Sequence, residues 1–417
     1  MAADPTSARP WYRQLHGQVA LAIVGALAFG LLARALGWHE VEALRSSAAW
    51  VGTLFLRLLR MLIVPLVFST IVSAVARLPL ADLGRLGART FAFYTVTTCL
   101  AIVTGLVLVN WIEPGVGVTL GVAEPTLPTP PPVGDVLLGI VPDNPFASMA
   151  KTFDLLAVIF FGICLGAVTA ASGSEGEAVE RFFTAFSAVM LRMTKAIMAL
   201  APVGIFALVL QVTLDTGLEV FVAALRYVLT VALALSFHAV VTLPLLLFLF
   251  AGVSAIRLAH AMAPALLTAF STASSAAALP VALDNIENRA GVERRTGAFV
   301  LPLGSTVNMD GTALYEAVAA LFIAQAYGID LSLGQQATVL MVALLAAVGA
   351  AGVPSAGLVM LVLVLESVGL PLEGIGLLLA VDRVLDMMRT TINVWGDCVT
   401  ATVMASFEKT LDRAKLS

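Results

Sequence analysis

Apolar residues run almost unbroken along this chain, in stretches of about 20 that recur at residues 17–36, 48–76, 90–111, 146–171, 195–213 and 220–252 and continue toward the C-terminus. A helix of about 20 apolar residues spans a hydrocarbon core, so each stretch predicts a membrane-crossing α-helix, with proline bends at Pro65 and Pro202. The second half breaks the pattern. ALLTAFSTASSAAALPVAL (265–283) and LLAAVGAAGVPSAGLVMLVL (344–363) are apolar at both ends and small or polar in the middle. Each has the length of two half-spans about a break, and irregular backbone at membrane depth persists only where protein or a water-filled cavity satisfies it. Paired interruptions of this kind point to a transporter's binding site. The alternative, loops between soluble-type helices, requires more polar sequence than either stretch has. Each is followed by a helix carrying intramembrane polar residues, NMDGTALYEA (308–317) and LDMMRTTINVWGDCVT (385–400). The second half therefore reads as a duplicated unit of broken hairpin plus polar helix.

With 60% hydrophobic and only 12% charged residues, a chain of 417 residues has too little polar surface to coat a soluble globule. It reads as a polytopic membrane protein. The net charge of -4, with no basic stripe or acidic tail, excludes nucleic-acid binding. Charge is informative by position instead. No Lys or Arg lies between Arg89 and Lys151, so the Pro/Gly-rich loop containing EPTLPTPPPVGD (124–135) is expected outside. Arg77, Arg85, Arg89, Arg257, Arg289, Arg294 and Arg295, with Lys409, Arg413 and Lys415, mark cytoplasmic ends, and both termini read as cytoplasmic. The first apolar run follows Arg9 and Arg13 without a clear cleavage site, as an uncleaved first helix would. Cys99, Cys164 and Cys398 all fall in apolar stretches, which argues against a disulfide framework or a zinc site.

The costliest residues sit in the last polar helix. Successive helical residues turn by about 100°, so Asp382, Asp386, Arg389, Asn393 and Asp397 share one face, bordered by Thr390. An ionised group at bilayer depth costs a few kcal/mol or more, so this face must look into protein, water or ligand. An internal ion pair between Asp386 and Arg389 is one account. The other is a ligand: guanidinium matches carboxylate bidentately, carboxylate suits ammonium, and Thr and Asn add neutral hydrogen bonds, which together complement an acidic amino acid. Asp310 and Asp397 have no sequence-near cation. Hard oxygen ligands beside a broken helix suit an alkali cation such as Na+; protonated carboxyls bonded to neighbouring helices are the alternative. Glu316 reads equally as a proton carrier or a satisfied helix contact. His238, alone in an apolar helix, reads as a packed, hydrogen-bonded residue before a relay.

NMDGTALYEA, GAAGVPSAG and DRVLDMMRTTINVWGD, with YTVTT (94–98), LRMLIVPLVFSTIVSAV (59–75) and APVGIF (201–206), resemble the glutamate transporter family of excitatory amino acid transporters and prokaryotic dicarboxylate/amino acid:cation symporters. The resemblance covers nearly the whole chain. It implies an all-α polytopic fold of eight transmembrane helices plus two re-entrant helical hairpins, assembled as a homotrimer. Residues 1–85 and 125–215 (helices 1, 2, 4 and 5) would form a scaffold. Residues 86–124 and 216–417 would form an elevator-like transport domain of helices 3 and 6, hairpin 1 (about 254–287), helix 7, hairpin 2 (about 334–369) and helix 8.

By the same resemblance, Asp386 meets the substrate ammonium, Arg389 its side-chain carboxylate, and Thr390 and Asn393 its other polar atoms, with Ser275, Thr312, Val353 and Gly357 completing the pocket. One sodium site would use Asp397 with carbonyls of Gly304, Asn308 and Asn393. A second would use carbonyls of Thr306, Val348 and Ala350, and a third Tyr94, Thr97, Thr98, Asn308 and Asp310, with Met309 linking substrate to ions. The chain departs from the family where relatives carry a hairpin 1 arginine, here Ala273, or one beside the helix 8 Asp, here Met387; Arg383 is the nearest substitute. Glu316 matches animal members, where it is tied to H+ cotransport and K+ counter-transport, whereas proton-driven bacterial members replace the Asp397 equivalent with Asn. Retaining both implies Na+ coupling, with H+ or K+ as an added partner.

The expected activity is therefore Na+-coupled symport of L-glutamate or L-aspartate in a cell's inner membrane, with membrane lipid around it. C4-dicarboxylate carriers would not need Asp386 and neutral amino-acid carriers would not need Arg389. A passive anion channel could use the same helices. An intramembrane aspartyl protease lacks support, because Gly396 and Asp397 follow Val394 and Trp395 and so miss the GxGD pattern.

Overall fold

The computed structural model describes residues 15–38, 41–77, 83–117, 141–150, 155–216, 219–349 and 356–416, and among these every regular element is a helix. The chain runs through α1 (Leu15–Ala35), α2 (Glu42–Ala76), α3 (Ala88–Ile112), a short α4 (Pro145–Ala150), α5 (Leu155–Ala171), α6 (Gly173–Met198) and α7 (Ala201–Thr216). α8 (Glu219–Phe237) passes through a π-helical turn (His238–Thr242) into α9 (Leu243–Ala251). There follow α10 (Ala255–Thr272), α11 (Ser275–Asn288), α12 (Arg294–Val307), α13 (Asp310–Ala326), α14 (Leu333–Gly349), α15 (Ala356–Ser367) and α16 (Ile375–Phe407). The loop at 124–135 lies outside the described residues.

Of the two expected proline bends, only Pro65 lies inside a helix, α2, where Ser69 Oγ donates to the Pro65 carbonyl at 2.6 Å. Pro202 is the second residue of α7. At a helix start the missing N–H has no partner to lose and the fixed φ suits the first turn, so Pro202 begins a helix and the apolar run at 195–213 divides into the end of α6 and α7.

The first interrupted stretch folds as a hairpin, α10 and α11 packed against one another. Its tip is built from two residues: Ala273 takes the left-handed conformation (φ 50°) and Ser274 is extended, its Oγ accepting from Ala277 N–H at 3.2 Å. A left-handed residue ends one helix and a serine N-cap satisfies the orphan amides of the next, which is how TASS reverses the chain. In the second stretch α14 and α15 also pack together, while residues 350–355 at their junction lie outside the described residues. A third interruption divides α12 from α13: Asn308 (φ -102°, ψ 94°) and Met309 (φ -122°, ψ 59°) leave helical geometry between them.

Polarity is arranged inside out. Trp50, Trp111, Val107, Phe248, Leu249 and Leu267 are each at least 60% exposed, whereas His238, Asn308, Asp310 and Glu316 are wholly buried. Apolar residues outside and ionisable groups inside is what hydrocarbon surroundings demand. α1 and α2 pack with α5, α6 and α7, while α3 and α8 to α13 gather around α16, on which α7 also packs. α13, buried along almost its whole length, lies against α3, α8, α14, α15 and α16, and thereby sets the break at 308–309 in the interior.

Candidate functional site

The charged face expected on α16 exists and is buried: Asp382, Asp386, Arg389, Thr390, Asn393 and Asp397 all lie inside the protein. Arg389 Nη2 donates to Asp386 Oδ1 at 2.9 Å and lies 3.0 Å from Asp382 Oδ1. Its guanidinium stacks over the Tyr315 ring of α13, 3.8 Å from the centroid. Cation–π stacking and two carboxylates hold the plane in place. Nε and Nη1 have no hydrogen-bond partner among the described residues. The internal pair with Asp386 is thus real, and it leaves one edge of the guanidinium able to donate to an anion. Sequence reasoning placed Asp382 on the face but gave it no role, and it missed Tyr315; Tyr315 follows Thr312 by one helical turn, which was the available signal.

Asn393 ties α16 to the start of α13, because its Oδ1 accepts from Gly311 N–H at 2.8 Å and its Nδ2 donates to Thr312 Oγ1 at 3.2 Å. Both side chains expected to face ligand are brought together here. Gly357, near the start of α15, closes the cluster: a Cβ there would lie 3.1 Å from Arg389 Nη1 and 3.2 Å from Thr312 Cγ2, so only glycine lets this backbone approach without displacement. Ser275, the first residue of α11, is buried and lines a small cavity with Ser305, Val394 and Asp397. Val353 and Ala350 lie outside the described residues, as does the side chain of Arg383; Val348 is in the last turn of α14.

One helical turn deeper is a cluster of oxygens. Asp310 Oδ1 accepts from Thr98 Oγ1 at 2.6 Å and Thr97 Oγ1 at 3.2 Å, and Thr97 Oγ1 is 3.4 Å from Asn308 Oδ1. Asn308 Nδ2 donates to Asp397 Oδ1 at 2.9 Å. Tyr94 Oη donates to the Val300 carbonyl at 2.9 Å, and a Cβ on Gly304 would collide with both that hydroxyl and the Asp397 carboxylate. Met309 is buried at the break, and Thr306 Oγ1 bonds the Leu303 carbonyl. Tyr94, Thr97, Thr98, Asn308 and Asp310 therefore converge, with Gly304 and Asp397 beside them. Neither Asp310 nor Asp397 has a Lys or Arg partner among the described residues. Two buried carboxylates without a cation are expensive, and hydroxyl, amide and carboxylate oxygens at a helix break suit a hard alkali ion. No group of three or more His, Cys, Asp or Glu side chains that could hold a metal ion occurs among the described residues, so the oxygens gathered here come mainly from hydroxyl and amide groups.

Glu316 is wholly buried on α13, and neither carboxylate oxygen has a hydrogen-bond partner among the described residues. The satisfied-contact reading of this residue finds no partner there. His238 is packed and hydrogen-bonded, as its sequence context implied, with Nε2 3.3 Å from Asp310 Oδ2. The cysteines are free.

Known proteins are similar to this chain over most of its length. A proton/sodium-glutamate symport protein of Geobacillus stearothermophilus is 37% identical over 86% of this chain and 87% of its own. The proton/glutamate-aspartate symporter of Escherichia coli is 36% identical over 87% of this chain and 86% of its own. Excitatory amino acid transporter 3 of Mus musculus is 33% identical over 98% of this chain and 89% of its own. The pattern of the sodium:dicarboxylate symporter family matches residues 15–407, and with relatives this similar over this length the chain belongs to that family of membrane transporters.

Proposed function

We propose that this protein is a secondary active transporter, not an enzyme, that carries L-glutamate or L-aspartate across a cell's inner membrane together with Na+. The observation that carries the reading is Arg389: buried, held by Asp382, Asp386 and Tyr315, with Nε and Nη1 left to donate. Asp386 would take the substrate ammonium, Arg389 the side-chain carboxylate, and Thr312, Thr390, Asn393, Ser275 and the backbone at Val353 and Gly357 the remaining polar atoms. The names of the relatives, glutamate and glutamate-aspartate symporters, favour this over a C4-dicarboxylate substrate.

Na+ is cargo in this reading. It would bind at the Asp310 cluster with Tyr94, Thr97, Thr98 and Asn308, at Asp397 with carbonyls of Gly304, Asn308 and Asn393, and between Thr306 and the second hairpin at Val348 and Ala350. Ion and substrate sites meet at Asn393 and Met309, so binding one favours the arrangement that binds the other, a reciprocal coupling free energy. Glu316 is the residue for H+ cotransport or K+ counter-transport.

A homotrimeric elevator in lipid, of eight spanning helices and two re-entrant hairpins with cytoplasmic termini, completes the proposal. Packing of α1, α2, α5, α6 and α7 with one another supports a scaffold at 1–85 and 125–215, and packing of α3 on α13 supports a transport domain at 86–124 and 216–417.

Uptake of labelled glutamate and aspartate into proteoliposomes tests the core of it. An inward Na+ gradient should drive accumulation above the external concentration. Equal uptake without Na+ rejects the coupling, and flux that never exceeds equilibration identifies a channel instead.

A further inference from the structure

We infer that His238 and the π-helical turn carrying it are a positioning element for the cation-binding carboxylates, a role that rests on the sodium-coupled reading above. The turn at His238–Thr242 interrupts an otherwise regular, strongly apolar helix. Single π turns inside α-helices are uncommon and concentrate at functional sites. This one makes two tertiary bonds at consecutive residues. His238 Nε2 reaches Asp310 Oδ2 at 3.3 Å, and the Ala239 carbonyl accepts from Trp395 Nε1 at 3.1 Å. Trp395 precedes Gly396 and Asp397 on α16, so one turn of one helix braces both helices that bear the buried carboxylates.

The chemistry at His238 has a direction. Its Nδ1 has no partner among the described residues. A neutral ring with its proton on Nε2 donates to Asp310 and leaves only an acceptor unpaired. The other tautomer would bury an unpaired N–H and set a ring lone pair against a carboxylate, which costs more. Asp310 Oδ2 is thus held by His238 while Oδ1 takes Thr97 and Thr98. Both edges of the carboxylate are fixed before an ion arrives, so its ordering is not charged against ion binding.

The test is Na+ dependence in proteoliposomes of purified, monodisperse protein. His238→Ala should raise the half-saturating Na+ concentration about tenfold, the equivalent of ~1.4 kcal/mol for a charge-assisted hydrogen bond. The substrate KM at saturating Na+ should stay at the wild-type value. His238→Gln, which can still donate, should recover most of the shift, and Trp395→Phe should move Na+ dependence in the same direction. An Ala variant with wild-type Na+ dependence, or one whose only change is a lower maximal rate that Gln does not restore, makes His238 a packing residue and overturns the inference. Wild-type protein lacking Na+-dependent uptake would instead sink the transport reading itself.

Discussion

Asn308 and Asp397 are 89 residues apart in the chain, yet the Asn308 side-chain amide donates to Asp397 Oδ1 at 2.9 Å in the interior. The bond spans from the break between α12 and α13 to α16, and it gives the buried Asp397 carboxylate a side-chain donor. The break and the charged face of α16 are therefore one site, and several outcomes follow from its geometry.

Asp397→Asn preserves shape and removes the charge. The half-saturating Na+ concentration for uptake should rise by about tenfold or more, since a deleted charged partner costs at least ~1.4 kcal/mol. Uptake measured over graded Na+ decides it; an unmoved curve places the ion elsewhere.

Gly304→Ala inserts a methyl where the Asp397 carboxylate and the Tyr94 hydroxyl already meet. The collision overpacks a buried cluster and outweighs the gain in helix propensity, so the variant is first shown to elute in detergent like the wild type. Na+-driven uptake should nevertheless be lost, and full uptake would show that this oxygen cluster tolerates rearrangement.

Arg389→Cys removes the guanidinium that pairs with the buried Asp382 and Asp386. Acidic amino-acid uptake should fall to background, and breaking a buried pair from one side should cost about 3–5 kcal/mol of stability, read as a lower melting midpoint in detergent. Retained glutamate uptake would refute the substrate assignment, whereas uptake of neutral amino acids would support it.

Gly357→Ala sets a methyl 3.1 Å from Arg389 Nη1 and 3.2 Å from Thr312. The guanidinium can yield only slightly under Tyr315. The substrate KM should rise severalfold with little change in Na+ dependence, which separates the substrate cluster from the cation cluster in competition assays.

Glu316→Gln is isosteric and cannot carry a proton. If Glu316 carries the H+ or K+ step, the variant should keep Na+-driven substrate exchange between preloaded vesicles and lose any pH or K+ dependence of net uptake. Identical pH and K+ responses in both proteins would assign Glu316 to packing.

Periodicity and composition alone specified the helices within 17–36, 48–76, 90–111 and 220–252, the interruption at 265–283 and the polar face of α16, because spanning length and the cost of intramembrane charge leave few alternatives. The amphipathic α6 (Gly173–Met198) and the division of the run at 195–213 were not legible, because α6 is not a continuous apolar run. Residue chemistry likewise singled out Arg389, Asp386, Asp310 and Asp397. What residue order could not show was which of these groups meet. Whether Arg389 is shared with Asp382 as well as Asp386, that Tyr315 stacks on it, that Asn308 reaches Asp397 and that His238 reaches Asp310 all depend on how α8, α13 and α16 cross. Pro202 illustrates the same limit, since one ring bends a helix or begins one according to where the chain turns. Helices are made by contacts a few residues apart, so local sequence dictates them. The site is made by hydrogen bonds between residues up to 213 apart, Thr97 and Asp310, and these exist only once the helices have packed.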